Sequence, residues 1–124
     1  MKNLLLVAAG GGLGAMGRYL LGTLVPVTTV PLGVLSANLI GAFVLGVLVG
    51  FGAQGQQMPE AVRLLVVVGV LGGFTTFSSF AMEAILLSER GMSLLGLLYV
   101  LISVIGALAL MWLGMKLPRL IMGL

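Results

Sequence analysis

Four long apolar segments, separated by short polar turns, constrain the fold of this chain more than any other feature. They run over about residues 4–25, 32–51, 61–87 and 92–117. A helix that crosses the hydrocarbon core of a bilayer needs roughly 20 apolar residues, and each segment meets that length. Hydrophobic residues make up 60% of the chain and charged residues only 7%, which leaves little room for a soluble domain. We therefore predict an all-α membrane protein, with residues 1–124 forming one transmembrane domain of four helices.

Composition excludes several classes of function. The chain contains no Cys and no His, so thiol chemistry, Cys/His metal sites and acid–base catalysis by histidine are excluded. An enzyme is not expected, because the sequence offers no pair of nucleophile and base. The net charge of +3 comes from Lys and Arg that flank the apolar segments, and no clustered basic face for nucleic acid exists. The apolar N-terminus continues without a cleavage boundary, so we predict a retained span rather than a signal peptide.

Residues 71–83, within the third segment, do not fit an uninterrupted membrane helix. Gly72 and Gly73 are poor helix formers, and four residues that favour helix N-caps follow them. These four are Thr75, Thr76, Ser78 and Ser79. We predict a helix that is broken near the membrane midplane and restarts at Thr75 or Thr76. The alternative is a glycine-kinked helix whose hydroxyls bond back to their own backbone.

A break of this kind would place ion-binding groups at the membrane centre. The restarting half would point free N–H groups and a positive dipole at an anion, while the carbonyl end of the first half would favour a cation. Phe77, Phe80 and Glu83 follow at intervals of three and would share one helix face. A carboxylate inside a span is a functional-site candidate, because burying a charge in hydrocarbon is costly.

Other polar residues stand out in the remaining segments. Arg18 either snorkels to the headgroups or supplies a fixed positive charge at an aqueous mouth. Asn38 either joins two helices by hydrogen bonds or lines a pore. In the second case its amide could donate two N–H groups to an anion. Tyr99 and Ser103 lie four residues apart on one face, and Ser103 is expected to bond to its own helix backbone.

Glycine spacing and charge distribution bear on packing and assembly. Gly10 and Gly14 form a G-x-x-x-G face that lets another backbone approach closely. By the positive-inside rule, the basic residues give a mild bias for both termini inside. They are Lys2, Arg63, Lys116 and Arg119 on the terminal side, and Arg18 and Arg90 on the other. Four short helices enclose little volume and one break presents a single set of dipoles, so a monomeric pore is disfavoured.

The motif of the third segment resembles that of a known family. Residues 72–80 resemble the Gly-Gly-x-[Thr/Ser]-Thr-Phe-Ser-[Thr/Ser]-Phe motif of the Fluc (CrcB) fluoride channels. Further matches follow in family order over essentially the whole chain. They are Gly11-Gly12-x-Gly14-Ala15-x-x-Arg18-Tyr19 in the first segment and Asn38-x-x-Gly41-x-x-x-x-Gly46 in the second.

The resemblance implies a passive fluoride channel of a prokaryotic inner membrane, built as an antiparallel, dual-topology homodimer with two pores. Phe77 and Phe80 would form an aromatic box, because the edge of an aromatic ring is electropositive. Asn38 would be the pore-lining amide. The other pathway residues implied by the resemblance are Thr76, Ser78, Ser79, Glu83, Arg18, Tyr99 and Ser103.

The resemblance also implies roles for these residues. The three hydroxyls of the motif would donate hydrogen bonds to fluoride, Glu83 would lie near one end of the pore, and Arg18 would lie at a vestibule. Tyr99 and Ser103 match pore-side positions of the fourth helix, whereas Ala107 stands where some members have a second serine. A continuous polar track along the fourth helix is therefore not expected.

A structural sodium ion is the one cofactor that the resemblance implies. Gly72 and Thr75 match positions whose backbone carbonyls hold this ion at the dimer axis. Four carbonyls from two chains would suit a hard cation. The alternative function is a small dual-topology exporter of organic cations, which needs a membrane-embedded carboxylate. The first segment has none and Glu83 lies toward the end of its segment, so this alternative ranks second, ahead of a structural subunit without a pore.

Overall fold

The computed structural model describes residues 1–123, and every regular element in that range is helical. Helices α1 (Lys2–Leu24) and α2 (Leu32–Ala53) correspond to the first two apolar segments. The third segment contains α3 (residues 60–74) and α4 (Phe77–Glu89), and the fourth is α5 (Ser93–Met122). The ranges Lys2–Leu24, Leu32–Ala53, Glu60–Glu89 and Ser93–Met122 are each long and apolar enough to cross a membrane. The predicted all-α fold with four candidate spans is confirmed.

The third segment is interrupted about halfway along its length. Thr75 (φ −82°, ψ 155°) and Thr76 (φ −151°, ψ 119°) are extended, and α4 begins at Phe77 with Thr76 as its N-cap. This agrees with the predicted restart at Thr75 or Thr76. Gly72 and Gly73, in contrast, remain helical at the end of α3. The break therefore comes from the two threonines rather than from the two glycines before them.

Helix α3 is not a uniform α-helix. A short α-helical start, Glu60–Val62, leads into a π-helix over Arg63–Leu71, and Gly72–Phe74 returns to α-helical geometry. Such wide turns are rare and often occur at functional sites. The π-helix packs along α1, where a Cβ added at Gly69 would lie 2.7 Å from the Cα of Gly10. Two backbones are thus in direct contact where the wide helix passes α1.

The predicted G-x-x-x-G face of α1 is the surface that receives α3. A Cβ at Gly10 would overlap the carbonyl of Leu65, and one at Gly14 would overlap the carbonyl of Val70. In return, a Cβ at Gly73 would overlap the carbonyl of Gly11. Glycine on both helices lets the backbones touch, which is the means by which membrane helices gain packing contacts.

A second glycine seam joins α2 to α5. A Cβ at Gly114 would lie 2.9 Å from the backbone nitrogen of Val47, and one at Gly50 would lie 3.0 Å from the Pro118 ring. The predicted fourth segment ends at Leu117, whereas α5 continues through the buried Pro118 to Met122 and is capped by Gly123 (φ +68°). Proline removes one helical N–H, but here its ring fills the space left open by glycine.

A tight turn brings α5 back against α4. Gly91 adopts a positive φ of 77°, and the N–H of Met92 donates to the carbonyl of Leu87 at 2.9 Å. Phe80, Leu87 and Tyr99 then form a small buried cluster between the two helices. The turn therefore sets the aromatic residues of α4 against those of α5.

We expect Gly14→Ala to destabilise the protein by about 1–3 kcal/mol, because overpacking a close contact forces the backbones apart. The added methyl group would lie 2.7 Å from the backbone nitrogen of Phe74, in addition to its overlap with Val70. Gly12→Ala is the matched control, since nothing lies within 4 Å of a Cβ added there. Thermal unfolding of the detergent-solubilised variants measures the difference, and equal midpoints would contradict the packing described for α1 and α3.

Candidate ion pathway at the helix break

The extended residues of the break lose helical hydrogen bonds, and Asn38 of α2 replaces two of them. Its Oδ1 accepts the backbone N–H of Thr76 at 2.8 Å, and its Nδ2 donates to the Thr76 carbonyl at 3.0 Å. Asn38 therefore links α2 to the break through interhelical hydrogen bonds. The amide nitrogen carries two hydrogens. Only one of them is used by hydrogen bonds within residues 1–123, so the other is available to a ligand.

Gly41, one turn after Asn38, lets α2 approach the break. A Cβ at Gly41 would overlap the methyl group of Thr75. The Thr75 hydroxyl points back into α3 and donates to the Leu71 carbonyl at 2.9 Å, where the Thr75 N–H also donates at 3.0 Å. The side chain of Thr75 is thus engaged within its own helix, as the back-bonding alternative predicts for this one residue.

Three hydroxyls gather at the N-terminus of α4. The Thr76 Oγ1 accepts the Ser79 N–H at 3.2 Å and donates to the Ser79 Oγ at 3.1 Å. The Ser78 Oγ lies 3.3 Å from the same Thr76 oxygen. Hydroxyl hydrogens rotate, and the N-terminus of a helix carries positive partial charge. The cluster can therefore turn O–H groups toward an anion.

Three aromatic rings line up beside this cluster. Phe77 and Phe80 have ring centroids 5.4 Å apart, and Phe80 and Tyr99 have centroids 5.6 Å apart. Phe80 is only 9% exposed and Tyr99 2%, whereas Phe77 is 79% exposed in the single chain. The predicted shared face of Phe77 and Phe80 is present. One ring is packed within the chain and the other projects from it.

Two buried hydroxyls of α5 lack hydrogen-bond partners within the described residues. They are the Tyr99 hydroxyl and the Ser103 Oγ. Ser103 does not bond to its own helix backbone, contrary to the expectation from sequence. A buried polar atom without a partner costs about 1–3 kcal/mol, so each hydroxyl has a strong tendency to bind water, an ion or another chain.

A cavity of about 490 Å³ opens at the break. It brings together seven of the residues predicted from sequence, which are Asn38, Gly72, Thr75, Thr76, Phe77, Phe80 and Ser103. Ala107 also contributes to its wall, together with apolar residues such as Leu45, Val104 and Met111 that the sequence did not single out. Their aliphatic character gave no signal that could distinguish them from lipid-facing residues.

Glu83 lies away from this cavity. It lines a second cavity of about 210 Å³, beside Arg90 and residues 25–33, which form the connection from α1 and the start of α2. Because Glu83 follows Phe80 by three residues on α4, the second cavity lies beyond the aromatic row, toward the end of the helix.

Arg18 lies beside the break rather than in either cavity. Its Nε donates to the carbonyl of Gly73 at 3.2 Å, and the side chain is half-buried. The guanidinium thus binds the carboxyl end of α3, which carries negative partial charge. The sequence offered no means of pairing these two residues, which are 55 positions apart.

Carbonyl groups at the break remain available, among them those of Gly72 and Thr75. The Gly73 and Thr76 carbonyls accept from Arg18 and Asn38, but no hydrogen bond within residues 1–123 engages the oxygens of Gly72 or Thr75. Among the described residues no three acidic side chains come together. A cation at this position would therefore depend on backbone oxygens, which suit hard cations.

Comparison with known proteins decides the family. The family model described as "CrcB-like protein, Camphor Resistance (CrcB)" matches residues 5–115. The chain belongs to this family. The predicted Fluc (CrcB) resemblance is thereby confirmed, and the match extends into all four candidate spans.

Relatives of this CrcB-like protein align over most of its length. "Fluoride-specific ion channel FluC" of Agrobacterium fabrum is 41% identical over 122 residues, covering 96% of this chain and 98% of the relative. The protein of the same name from Sphingopyxis alaskensis is 45% identical, covering 96% and 97% of the two chains. The one from Rhodospirillum centenum is 50% identical over 94 residues, covering 73% and 75%.

We expect Asn38→Asp to destabilise this CrcB-like protein by about 1–3 kcal/mol, because the carboxylate cannot donate to the Thr76 carbonyl and sets two acceptors against each other. Asn3→Asp is the matched control, since Asn3 is exposed at the start of α1. Thermal unfolding in detergent compares the two variants with the parent protein. If both variants unfold like the parent, Asn38 does not hold the break.

Proposed function

We propose that this protein is a passive, fluoride-selective ion channel of a bacterial inner membrane, a multi-pass protein embedded in membrane lipid. The observation that carries the proposal is the convergence of the Asn38 amide, the hydroxyl cluster and the two phenylalanines at one helix break. The relatives that align over nearly the whole chain are named fluoride-specific ion channels. Those relatives are channels, so we assign this protein no enzymatic activity.

The chemistry of the break suits a small, strongly hydrated anion. An ion leaves water only where donors replace its hydration shell, and it leaves a site only where each interaction is weak. The free amide hydrogen of Asn38 and the rotating hydroxyls of Thr76 and Ser79 supply such donors. The electropositive edges of Phe77 and Phe80 add weak stabilisation along the same path. Flow is then driven by the electrochemical gradient alone.

The path continues on both sides of the aromatic pair. Ser103 lines the cavity at the break and holds a hydroxyl with no partner within residues 1–123, so it can donate to a passing ion. Tyr99, whose ring packs on Phe80, does not line that cavity, but its buried hydroxyl also has no partner within residues 1–123. Ser78 is the exposed member of the hydroxyl cluster, and Glu83 lies beyond the pair in the second cavity, near one end of the path.

The functional unit in this proposal is an antiparallel, dual-topology homodimer with two pores. Phe77 is 79% exposed on the single chain, directly beside the cavity at the break. A second copy would cover this ring, close the cavity and bring two breaks together. The small charge difference between the two ends of the chain is compatible with insertion in both orientations.

A structural sodium ion at the dimer axis completes the proposal. The free carbonyls of Gly72 and Thr75 from two chains would supply four oxygens. The exporter alternative is less well supported, because it needs a carboxylate at the substrate site. Glu83 is the one acidic residue well inside a span, and it does not line the larger cavity.

Fluoride efflux from liposomes that contain the purified protein tests the function. We expect rapid efflux at a fluoride electrode and negligible efflux of chloride under the same gradient. Phe80→Ile should slow fluoride efflux at least about tenfold, because the branched side chain keeps the bulk but removes the electropositive ring edge. The measurement is the initial rate per assembled protein, with assembly checked by size-exclusion chromatography.

Phe51→Ile is the matched control for the aromatic substitution, since Phe51 lies at the end of α2 and lines neither cavity. It should conduct like the parent. Absence of fluoride efflux from well-assembled parent protein would reject the channel. Parent-like efflux in Phe80→Ile would remove the aromatic pair from the path.

The sodium site makes a separate prediction. Thr75→Val should keep the sodium dependence of fluoride efflux, because only the Thr75 carbonyl is free and its hydroxyl is bound to Leu71. Efflux is measured while sodium is replaced by N-methylglucamine. Thr23→Val is the matched control, because the Thr23 hydroxyl also bonds back to its own helix, at 2.7 Å from the Leu20 carbonyl. If Thr75→Val alone abolished the dependence, the hydroxyl would be a ligand.

A further inference from the structure

The contact between Arg18 and Gly73 links α1 to the carboxyl end of α3. Helix α1 comes close enough for this contact because glycine faces α3 one turn earlier: a Cβ at Gly14 would lie 2.7 Å from the Phe74 nitrogen. Gly17 continues the same face, where an added Cβ would lie 3.6 Å from the Phe74 ring. The tight packing of α1 on α3 thus places Arg18 beside the break, where its side chain is half-buried.

Arg18 makes this contact through its Nε, as a hydrogen-bond donor. The Nε of Arg18 donates to the Gly73 carbonyl at 3.2 Å. At the carboxyl end of a helix the last carbonyls lack helical partners, and a cationic donor suits them. Of the oxygens around the break, Leu71 is taken by Thr75 and Gly73 by Arg18. The oxygens of Gly72, Phe74 and Thr75 accept no hydrogen bond within residues 1–123, and the bound Gly73 follows Gly72 directly and precedes Thr75 by two residues.

We propose that Arg18 is a positioning residue for the cation site, an inference that rests on the sodium site of the proposed function. Its Nε–H holds the Gly73 carbonyl and thereby fixes the direction of the Gly72 carbonyl just before it and the Thr75 carbonyl two residues after it. Asn38 holds the other side of the break through Thr76. Arg18 acts through a directed N–H rather than as a free charge that attracts anions to a vestibule.

Two substitutions by neutral side chains of similar length distinguish a role of the Arg18 N–H donor from a role of its positive charge. In Arg18→Gln the amide nitrogen stands at the same place along the side chain as the arginine Nε, so a donor remains within reach of Gly73. In Arg18→Met no donor remains, although the length and flexibility are similar. Both variants lose the positive charge equally, so a role through charge cannot distinguish them.

The experiment measures fluoride efflux from liposomes over a series of sodium concentrations. We expect the half-saturating sodium concentration of Arg18→Gln to stay within about twofold of the parent, and that of Arg18→Met to rise about tenfold or more, as for loss of one buried hydrogen bond. Arg119→Gln and Arg119→Met are controls for loss of an exposed arginine in the last turn of α5, and both should match the parent.

Amide hydrogen exchange over residues 72–79 gives a second readout, which does not depend on conduction. We expect faster exchange in Arg18→Met than in the parent and parent-like exchange in Arg18→Gln. Equal impairment of the two variants in efflux would assign Arg18 to attraction of the anion, and parent-like behaviour of Arg18→Met in both assays would show that the contact has no role. Either result overturns the proposal.

Failure of the underlying function is recognised separately. If the parent protein conducts fluoride without any sodium dependence, the sodium site fails, and if it does not conduct at all, the channel fails. Hydrogen exchange then decides the Arg18 contact alone. Protection over residues 72–79 that is lost in Arg18→Met and kept in Arg18→Gln would show that the Arg18 N–H orders the backbone of the break without a cation site, and equal exchange in the two variants would show that it does not.

Discussion

The structure depends on how backbone polar groups are satisfied where a span is interrupted. Within hydrocarbon no water is available, so non-helical backbone is tolerated only where protein or a polar cavity supplies partners. Here side chains from two different helices supply them: Asn38 binds both polar groups of Thr76, and Arg18 binds the carbonyl of Gly73. The close helix packing, the hydroxyl cluster and the cavity all accompany the hydrogen bonds that satisfy the backbone at this break.

Glycine lets the helices that carry Asn38 and Arg18 come close enough to make these hydrogen bonds. The partners of the break come from α1 and α2, and both helices must approach α3 more closely than side chains normally allow. Gly14 and Gly41 provide the approach on the two sides, against Val70 and Thr75. The seam between α2 and α5 then holds Ser103 beside the same cavity. The high glycine content therefore serves the geometry of the site as much as helix association in general.

Local signals in the sequence predicted the four spans, the break and most residues that surround it. Asn38 was found because an amide in an apolar segment needs partners, and the Thr-Ser cluster because these residues favour helix N-caps. The partner of Arg18 could not be found, because the contact joins residues 55 positions apart. The π-helix Arg63–Leu71 was also missed, since its apolar residues carry no distinctive signal and its width accompanies packing on Gly10. Gly72 and Gly73, although poor helix formers, stay helical up to the break, and Gly73 packs on the Gly11 backbone.

The length of α5 has a consequence for the membrane around the protein. Its 30 residues make a rod about 45 Å long, whereas the hydrocarbon core of a bilayer is about 30 Å thick. The helix must therefore tilt or project, and a cation–π pair of Trp112 and Lys116, 5.5 Å apart, marks the end that would meet the headgroups. Bilayer thickness thus acts on the tilt of the helix that carries Tyr99 and Ser103 past the break.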